Sequence, residues 1–355
     1  MRVLLTLDFP PERGGIQRYL HGIVAHAFSR GDIVLVGCAH GRGRATDGAG
    51  VEIERLTTPL SRFGKKWSLI PMAIRLVSLR TKAAGRLDIE CGNAYAALVP
   101  WALGRFVRMN YSVYVYGTEA MHLDKRGITG RLLRSALAGA SSFTAISEFS
   151  ASLIAGLGIA GPVSVLPPKI SLAVKDGAAG KIPRRSGDVV RILSVGRLVP
   201  HKGHRVLLDA AALLPPALPW RLVVAGDGPE RAALEGLVSR KGLAGRVKFA
   251  SRLSDEELDA EYGRASMFVL PSTSRGGAEG FGIVLLEAMA ARVPIIASAT
   301  GGVPEVLDNG TCGILVPEGD VPALAGAIVR LAGDAELGRT LAERAWERLV
   351  ARYVW

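Results

Sequence analysis

The chain has 355 residues, 49% hydrophobic and 21% charged, which excludes a disordered chain and suits two α/β domains of about 150 to 180 residues each. Its formal charge of +12 is lopsided: residues 1–170 hold 21 Lys and Arg against 11 Asp and Glu, whereas residues 171–355 hold 23 against 21. Cys38, Cys91 and Cys312 are an odd number and far apart, without CxxC or Cys/His ligand spacing, which argues against a zinc module and for a reducing, cytoplasmic compartment.

The N-terminus offers one basic residue and a short apolar run before acid and proline, so it lacks the plan of a signal peptide and reads as a first β-strand. That strand is predicted over residues 3–9, with a loop over 10–15, a helix over 16–29 closed by Gly31, and a strand over 33–38. Between Glu54 and Asp88 there is no acid, while Arg55, Arg62, Lys65, Lys66, Arg75, Arg80, Lys82 and Arg86 fall there. On a helix Arg75, Lys82 and Arg86 share a face. Trp67, Leu69, Ile70, Ile74, Leu76 and Val77 supply apolar partners, and Pro71 is tolerable only near the helix start. Residues 62–86 are therefore expected to lie on an anionic membrane surface, where each basic residue is worth about 1 kcal/mol; the plainer reading is a core helix with a solvated basic face. The charge is not interleaved with stacking aromatics, which argues against a nucleic-acid partner.

Residues 94–107 come nearest to a membrane span, but contain Pro100, Gly104 and Arg105, so no span is expected. Strands follow over 109–116 and 143–146, with Ser147 as a helix N-cap. A composition shift over residues 167–188 reads as a linker. The predicted organisation is a first domain over 1–168, a linker over 169–190 and a second domain over 191–355. In the second, strands over 191–195, 221–225, 247–249 and 266–270 alternate with helices over 203–214 and 231–241. This alternation predicts two Rossmann-like, doubly wound parallel-sheet domains, with ligands beyond the carboxyl ends of the strands, in a cleft.

The chemistry lies in loops of the second domain. GRLVPHKG, residues 196–203, puts Arg197 and Lys202 on one strand-to-helix loop, a site for a diphosphate beside a helix N-terminus. The lysine precedes a glycine, so this is no Walker loop, and no GxGxxG is present. EGFGIVLLEAMA, residues 279–290, carries Glu279 in a loop and Glu287 within a helix starting near residues 281–283. Eight helical residues rise about 12 Å, beyond the roughly 5 to 9.5 Å of glycosidase carboxylate pairs. The two suit opposite ends of a nucleotide sugar instead: Glu287 at the ribose, Glu279 at the hexose, and the N–H groups of Phe281, Gly282 and Ile283 between them.

With FPPERGGIQRY, YGTE, AISEFS, VVAGDGPER, FVLPS and PIIASATGGVPEV, these motifs make the chain resemble the family 4 glycosyltransferases over nearly its whole length. The resemblance implies the GT-B fold, a UDP- or GDP-sugar donor and transfer of a hexose with retention to a glycan or lipid-linked acceptor. It assigns the Gly15 amide to the donor phosphate, Arg197 and Lys202 to the diphosphate, Glu279 to the sugar and Glu287 to the ribose, with backbone around Arg252, Leu253 and Ser254 at the base. Tyr116 stands where the family often has histidine, and a phenol can still donate a hydrogen bond there; Glu119 closes the same motif. Pro167 and Pro168 replace a common Asn–Gly turn, implying a stiffer hinge. The sequence stops at Trp355, so the family's terminal crossover helix is expected to be shortened or absent.

No Asp-x-Asp occurs, and His201 and His204 lack a third ligand, so neither metal nor other cofactor is expected. Leaving-group charge then falls to Arg197, Lys202 and helix N-termini. The resemblance implies a front-face reaction in which the departing diphosphate takes the acceptor's proton. The function expected is a retaining glycosyltransferase, cytoplasmic or peripheral on the inner face of the membrane. The rivals are a sugar-nucleotide epimerase of the same architecture and a catalytically silent sugar-nucleotide-binding subunit.

Overall fold

The computed structural model describes residues 1–12, 14–82, 87–117, 127–171 and 189–355. The chain divides into two compact units, Met1–Pro168 and Lys169–Trp355.

In the first unit the strands are β1 Arg2–Thr6, β2 Ile33–Gly37, β3 Gly43–Thr46, β4 Glu52–Leu56, β5 Asp88–Cys91, β6 Tyr111–Val115, β7 Ser142–Ala145 and β8 Val163–Val165. They form one sheet in the order β3-β4-β2-β1-β5-β6-β7-β8, parallel except for the antiparallel β3–β4 pair. Val3, Leu4 and Leu5 are all fully buried, the pattern of a strand covered on both faces. One core cluster gathers Val3, Leu5 and Val113 from the strands with Met72, Leu76 and Leu133 from helices.

The second unit is wholly parallel: β9 Val190–Val195, β10 Trp220–Ala225, β11 Val247–Ala250, β12 Met267–Leu270, β13 Ile295–Ser298 and β14 Ile314–Val316, in the order β11-β10-β9-β12-β13-β14. The chain reverses its winding between β1 and β5 in one sheet and between β9 and β12 in the other. The loops leaving those strands are where doubly wound sheets hold ligands.

Boundaries move by one to three residues from the sequence reading. The first strand ends at Thr6 rather than residue 9, because the Thr6 hydroxyl accepts from the Asp8 N–H and turns the chain away. Strands β3, β4, β5, β8, β13 and β14 had not been singled out in the chain-order reading. At three to five residues each, they are too short to carry a period of their own. Residues 169–171 belong to the second unit rather than to a linker. Ile170 donates to the Tyr353 carbonyl at 2.8 Å and pairs in parallel with Val354, just past the helix Ala335–Arg352. Residues 172–188, most of the predicted linker, lie outside the described residues.

The basic stretch forms the helix Leu69–Lys82, with Pro71 in its first turn and Met72, Leu76 and Leu79 buried. The expected basic face is not there as drawn. Arg75 is pulled inward, its Nε 2.6 Å from Glu54 Oε2 with only 18% of its side chain exposed, and Arg86 lies outside the described residues. Apolar side chains face out instead: Ile70, Ile74 and Val77, one helical stripe, join Leu60, Phe63 and Trp67. Among the described residues no helix is long and apolar enough to cross a membrane.

Candidate functional site

The loop leaving β9 starts at Gly196 and ends in a 3-10 turn, Pro200–Lys202, capped by Gly203 at φ 66°. A Cβ at Gly203 would lie 1.8 Å from the Pro271 carbonyl. Only glycine lets the helix His204–Ala211 start hard against the loop leaving β12. This close approach places Lys202 beside Glu279: Nζ to Oε2 is 2.7 Å, with 16% and 10% of the side chains exposed. The Ser272 hydroxyl donates to the same oxygen at 2.8 Å. Burial pushes the Glu279 carboxyl up, but the Lys202 ammonium, the Ser272 hydroxyl and nearby His201 more than reverse this and hold it below the usual carboxylate range. Arg197, exposed on the same loop, makes no ion pair among the described residues.

The loop bearing Glu279 is fixed on several sides. Thr273 donates its N–H to the His201 carbonyl at 2.7 Å, and Gly302 donates to the Glu279 carbonyl at 2.8 Å. Ser274 reaches Glu318 Oε1 at 2.6 Å through both its N–H and its hydroxyl. A Cβ at Gly301 would sit 2.0 Å from the Glu279 carbonyl oxygen. From here the chain turns through Gly282, at φ 86°, into the helix Ile283–Ala290. Among the described residues the N–H groups of Phe281, Gly282 and Ile283 have no acceptor, as a helix start requires unless something outside the fold supplies one.

Glu287 lies on that helix, 5% exposed, in a stretch where an unpaired carboxylate would be costly. The Tyr262 hydroxyl is one partner, donating to Oε2 at 3.0 Å. Arg252 adopts φ 57°, a left-handed turn in the loop leaving β11, followed by Leu253. The Ser254 N–H is engaged by Glu257 Oε2 at 2.7 Å in a capping box, so it is not available to a base. His204 lies inside the helix expected over residues 203–214, which runs over His204–Ala211. It is the first residue of that helix, 1% exposed; burial first, then Lys202 and His201, push its pKa down to about 4, so it is neutral. No cluster of metal-ligating groups occurs among the described residues.

In the first unit Gly15 opens the helix Gly15–Ala27, so its N–H has no intrahelical acceptor. Tyr116 is 3% exposed, its ring edge-on to Tyr19, and its hydroxyl proton goes to the Gly92 carbonyl at 2.8 Å. The phenol expected to donate to the sugar is thus hydrogen-bonded within the first unit. Glu119 lies outside the described residues.

Sequence reading missed Ser272 and Tyr262, the groups that hold Glu279 and Glu287, and a polar cluster where β1 and β5 end. There Asp8 accepts from Asn93 Nδ2 at 2.9 Å and from Lys65 Nζ at 3.0 Å. Lys65 also donates to the Leu7 carbonyl at 2.7 Å and to Glu12 at 2.9 Å. All three ammonium protons are thereby used. Only spacing to strand ends could have flagged these residues.

The family described as "Glycosyl transferases group 1" matches residues 181–348. The chain is 29% identical over 350 residues to a GDP-mannose-dependent alpha-(1-6)-phosphatidylinositol monomannoside mannosyltransferase of Mycolicibacterium smegmatis, covering 94% of this chain and 89% of that protein. It is 37% identical over 163 residues to the alpha-D-kanosaminyltransferase of Streptomyces kanamyceticus, 46% of this chain and 41% of that one. Among solved structures it resembles sucrose-phosphate synthase from Thermosynechococcus elongatus, with TM-score 0.83 and 23% identity over 100% of this chain and 95% of that one. Anabaena HepE in complex with UDP-glucose gives TM-score 0.76 and 21% identity over 100% and 96%. These likenesses match the predicted GT-B fold, and none of the names is that of an epimerase.

Proposed function

We propose that the chain, whose residues 181–348 match the group 1 glycosyltransferases, is such an enzyme and moves mannose from GDP-mannose, with retention, to a lipid-linked acceptor, without a metal. Transfer from a nucleotide sugar follows from that match; the choice of GDP-mannose and of a glycolipid follows the named specificity of the Mycolicibacterium smegmatis relative, which the chain matches over nearly its full length. The observation that carries the reading is the meeting of Lys202 and Glu279 at the switch point of the second sheet, ahead of three N–H groups without acceptors.

In this reading Arg197, Lys202 and those N–H groups oppose the charge that grows on the departing diphosphate. Glu279 holds a hexose hydroxyl, and Glu287, fixed by Tyr262, takes the ribose. The Gly15 N–H, at the start of its own helix, is the first unit's candidate donor to the phosphate. Asp8 and Asn93 line the acceptor's side, where the saturated Lys65 lends charge but no proton. The exposed stripe of Ile70, Ile74 and Val77, with Phe63 and Trp67 and the basic Arg62, Lys66 and Arg80, seats the enzyme on an anionic bilayer.

The test is GDP release from GDP-mannose with phosphatidylinositol monomannoside in vesicles, assayed in EDTA. Turnover that persists in EDTA and exceeds that with UDP-glucose supports the reading. Activity lost in EDTA and restored by magnesium or manganese contradicts the metal-free mechanism, and preference for UDP-glucose contradicts the donor.

A further inference from the structure

Glu279 sits under two donors that differ in kind. Lys202 Nζ and Ser272 Oγ converge on Oε2, at 2.7 and 2.8 Å, and Oε1 receives neither. Lys202 carries its charge on a long flexible stem, and a diphosphate competes for that charge. Ser272 is fully buried, with one torsion and no charge. Its neighbours cannot follow a moving partner. The Pro271 carbonyl is packed against Gly203, the Thr273 N–H is bonded to His201, and Ser274 is bonded twice to Glu318.

We propose that Ser272 is the positioning residue of the sugar-side carboxylate. It holds Oε2 of Glu279 when Lys202 turns to the departing diphosphate, keeping the carboxylate in place with Oε1 left for a hexose hydroxyl. The proposal rests on the glycosyl-transfer reading given above. It explains why a serine is buried without exposure at the end of β12, where an apolar residue would pack with no polar group to satisfy. Without Ser272, Glu279 would lose its remaining fixed donor just as Lys202 leaves, and a buried carboxylate without partners takes up a proton.

The charged and titratable groups around Glu279 are Lys202 and His201, both from the loop leaving β9. Glu318, from the loop after β14, acts one step away through Ser274. His201 titrates whether or not residue 272 carries a hydroxyl, so its contribution is common to all the variants compared.

The experiment is the pH profile of GDP release from GDP-mannose, with phosphatidylinositol monomannoside vesicles as acceptor, for wild type, Ser272→Ala, Ser272→Cys and Ser272→Thr. Melting temperatures are compared alongside. Ser272→Ala is expected to lower kcat about tenfold near neutrality, the loss of one hydrogen bond to a charged group, with the KM for GDP-mannose little changed. Its acid limb moves to higher pH in kcat, which reports the substrate-bound enzyme, and moves less in kcat/KM, which reports the free enzyme where Lys202 still pairs. Ser272→Cys, close in volume but a weak donor, follows Ser272→Ala, and Ser272→Thr recovers most of the loss. Equal loss in kcat and kcat/KM with neither limb displaced, or Ser272→Cys behaving as wild type, overturns the proposal. Wild type releasing no GDP at any pH overturns the donor reading and this inference with it.

Discussion

Lys202 Nζ stands 2.7 Å from Glu279 Oε2, so the cation expected to face a departing diphosphate already serves as the counter-charge of the carboxylate expected to face the sugar. Neither group is well exposed, and each is costly to bury alone.

This pairing has a stability consequence. Lys202→Met and Glu279→Gln each remove one member of a largely buried pair and are expected to destabilise the second unit, with Lys202→Met the worse at about 3 kcal/mol because it strands a carboxylate. The double variant should be more stable than Lys202→Met alone. A double-mutant cycle by urea unfolding checks this; strict additivity would show that the two side chains do not interact.

A second prediction concerns acid. The folded pKa of His204 is depressed to about 4, below the 6.5 of an ordinary histidine, so the unfolded chain binds the extra proton first. Its contribution is fully present above pH 6.5 and is lost as the pH falls towards 4, on the order of 3 kcal/mol in all. Glu279, whose pKa is also lowered, loses its stabilising contribution only below about pH 4.5. Melting temperature should therefore fall from pH 6.5 to 4.5 in wild type, and His204→Gln should flatten that fall. An unchanged slope in the variant would mean that other groups set it.

How much of this was legible beforehand differs between the two halves. GRLVPHKG and EGFGIVLLEAMA located Arg197, Lys202, Glu279 and Glu287 because their loops and helix start follow from local turn chemistry. Ser272 and Tyr262 were not legible, since each acts across the fold: Tyr262 is 25 residues from Glu287. In the first unit the segment 62–86 was read by counting charges. The count missed that Glu54, on the strand just before the helix, neutralises Arg75, and so gave the helix a more basic face than it has. Tyr116 was likewise read by analogy of position, whereas its hydroxyl answers the Gly92 carbonyl on the neighbouring strand end.

The exposed apolar stripe supplies a third prediction. The protein should sediment with vesicles containing anionic lipid and release as salt rises, because surface charges are screened over about 8 Å at 0.15 M. Ile74→Glu, at the most exposed position of the stripe, 68% accessible, should reduce that binding at least tenfold without moving the melting temperature. Equal binding to neutral vesicles, or no effect of Ile74→Glu, would contradict a membrane face there.

The most direct test of the site is steady-state kinetics with GDP-mannose on Arg197→Ala, Lys202→Ala and Glu287→Ala, with folding checked by melting temperature. Groups that oppose charge growing on the diphosphate act mainly in the transition state, so Arg197→Ala and Lys202→Ala should each lower kcat by about 100-fold or more. Glu287 meets a ribose that does not change in the reaction, so Glu287→Ala should raise the donor KM by about tenfold and leave kcat within a few-fold. A Glu287→Ala enzyme whose kcat falls further than that of Lys202→Ala, at unchanged donor KM, would contradict this arrangement of the site.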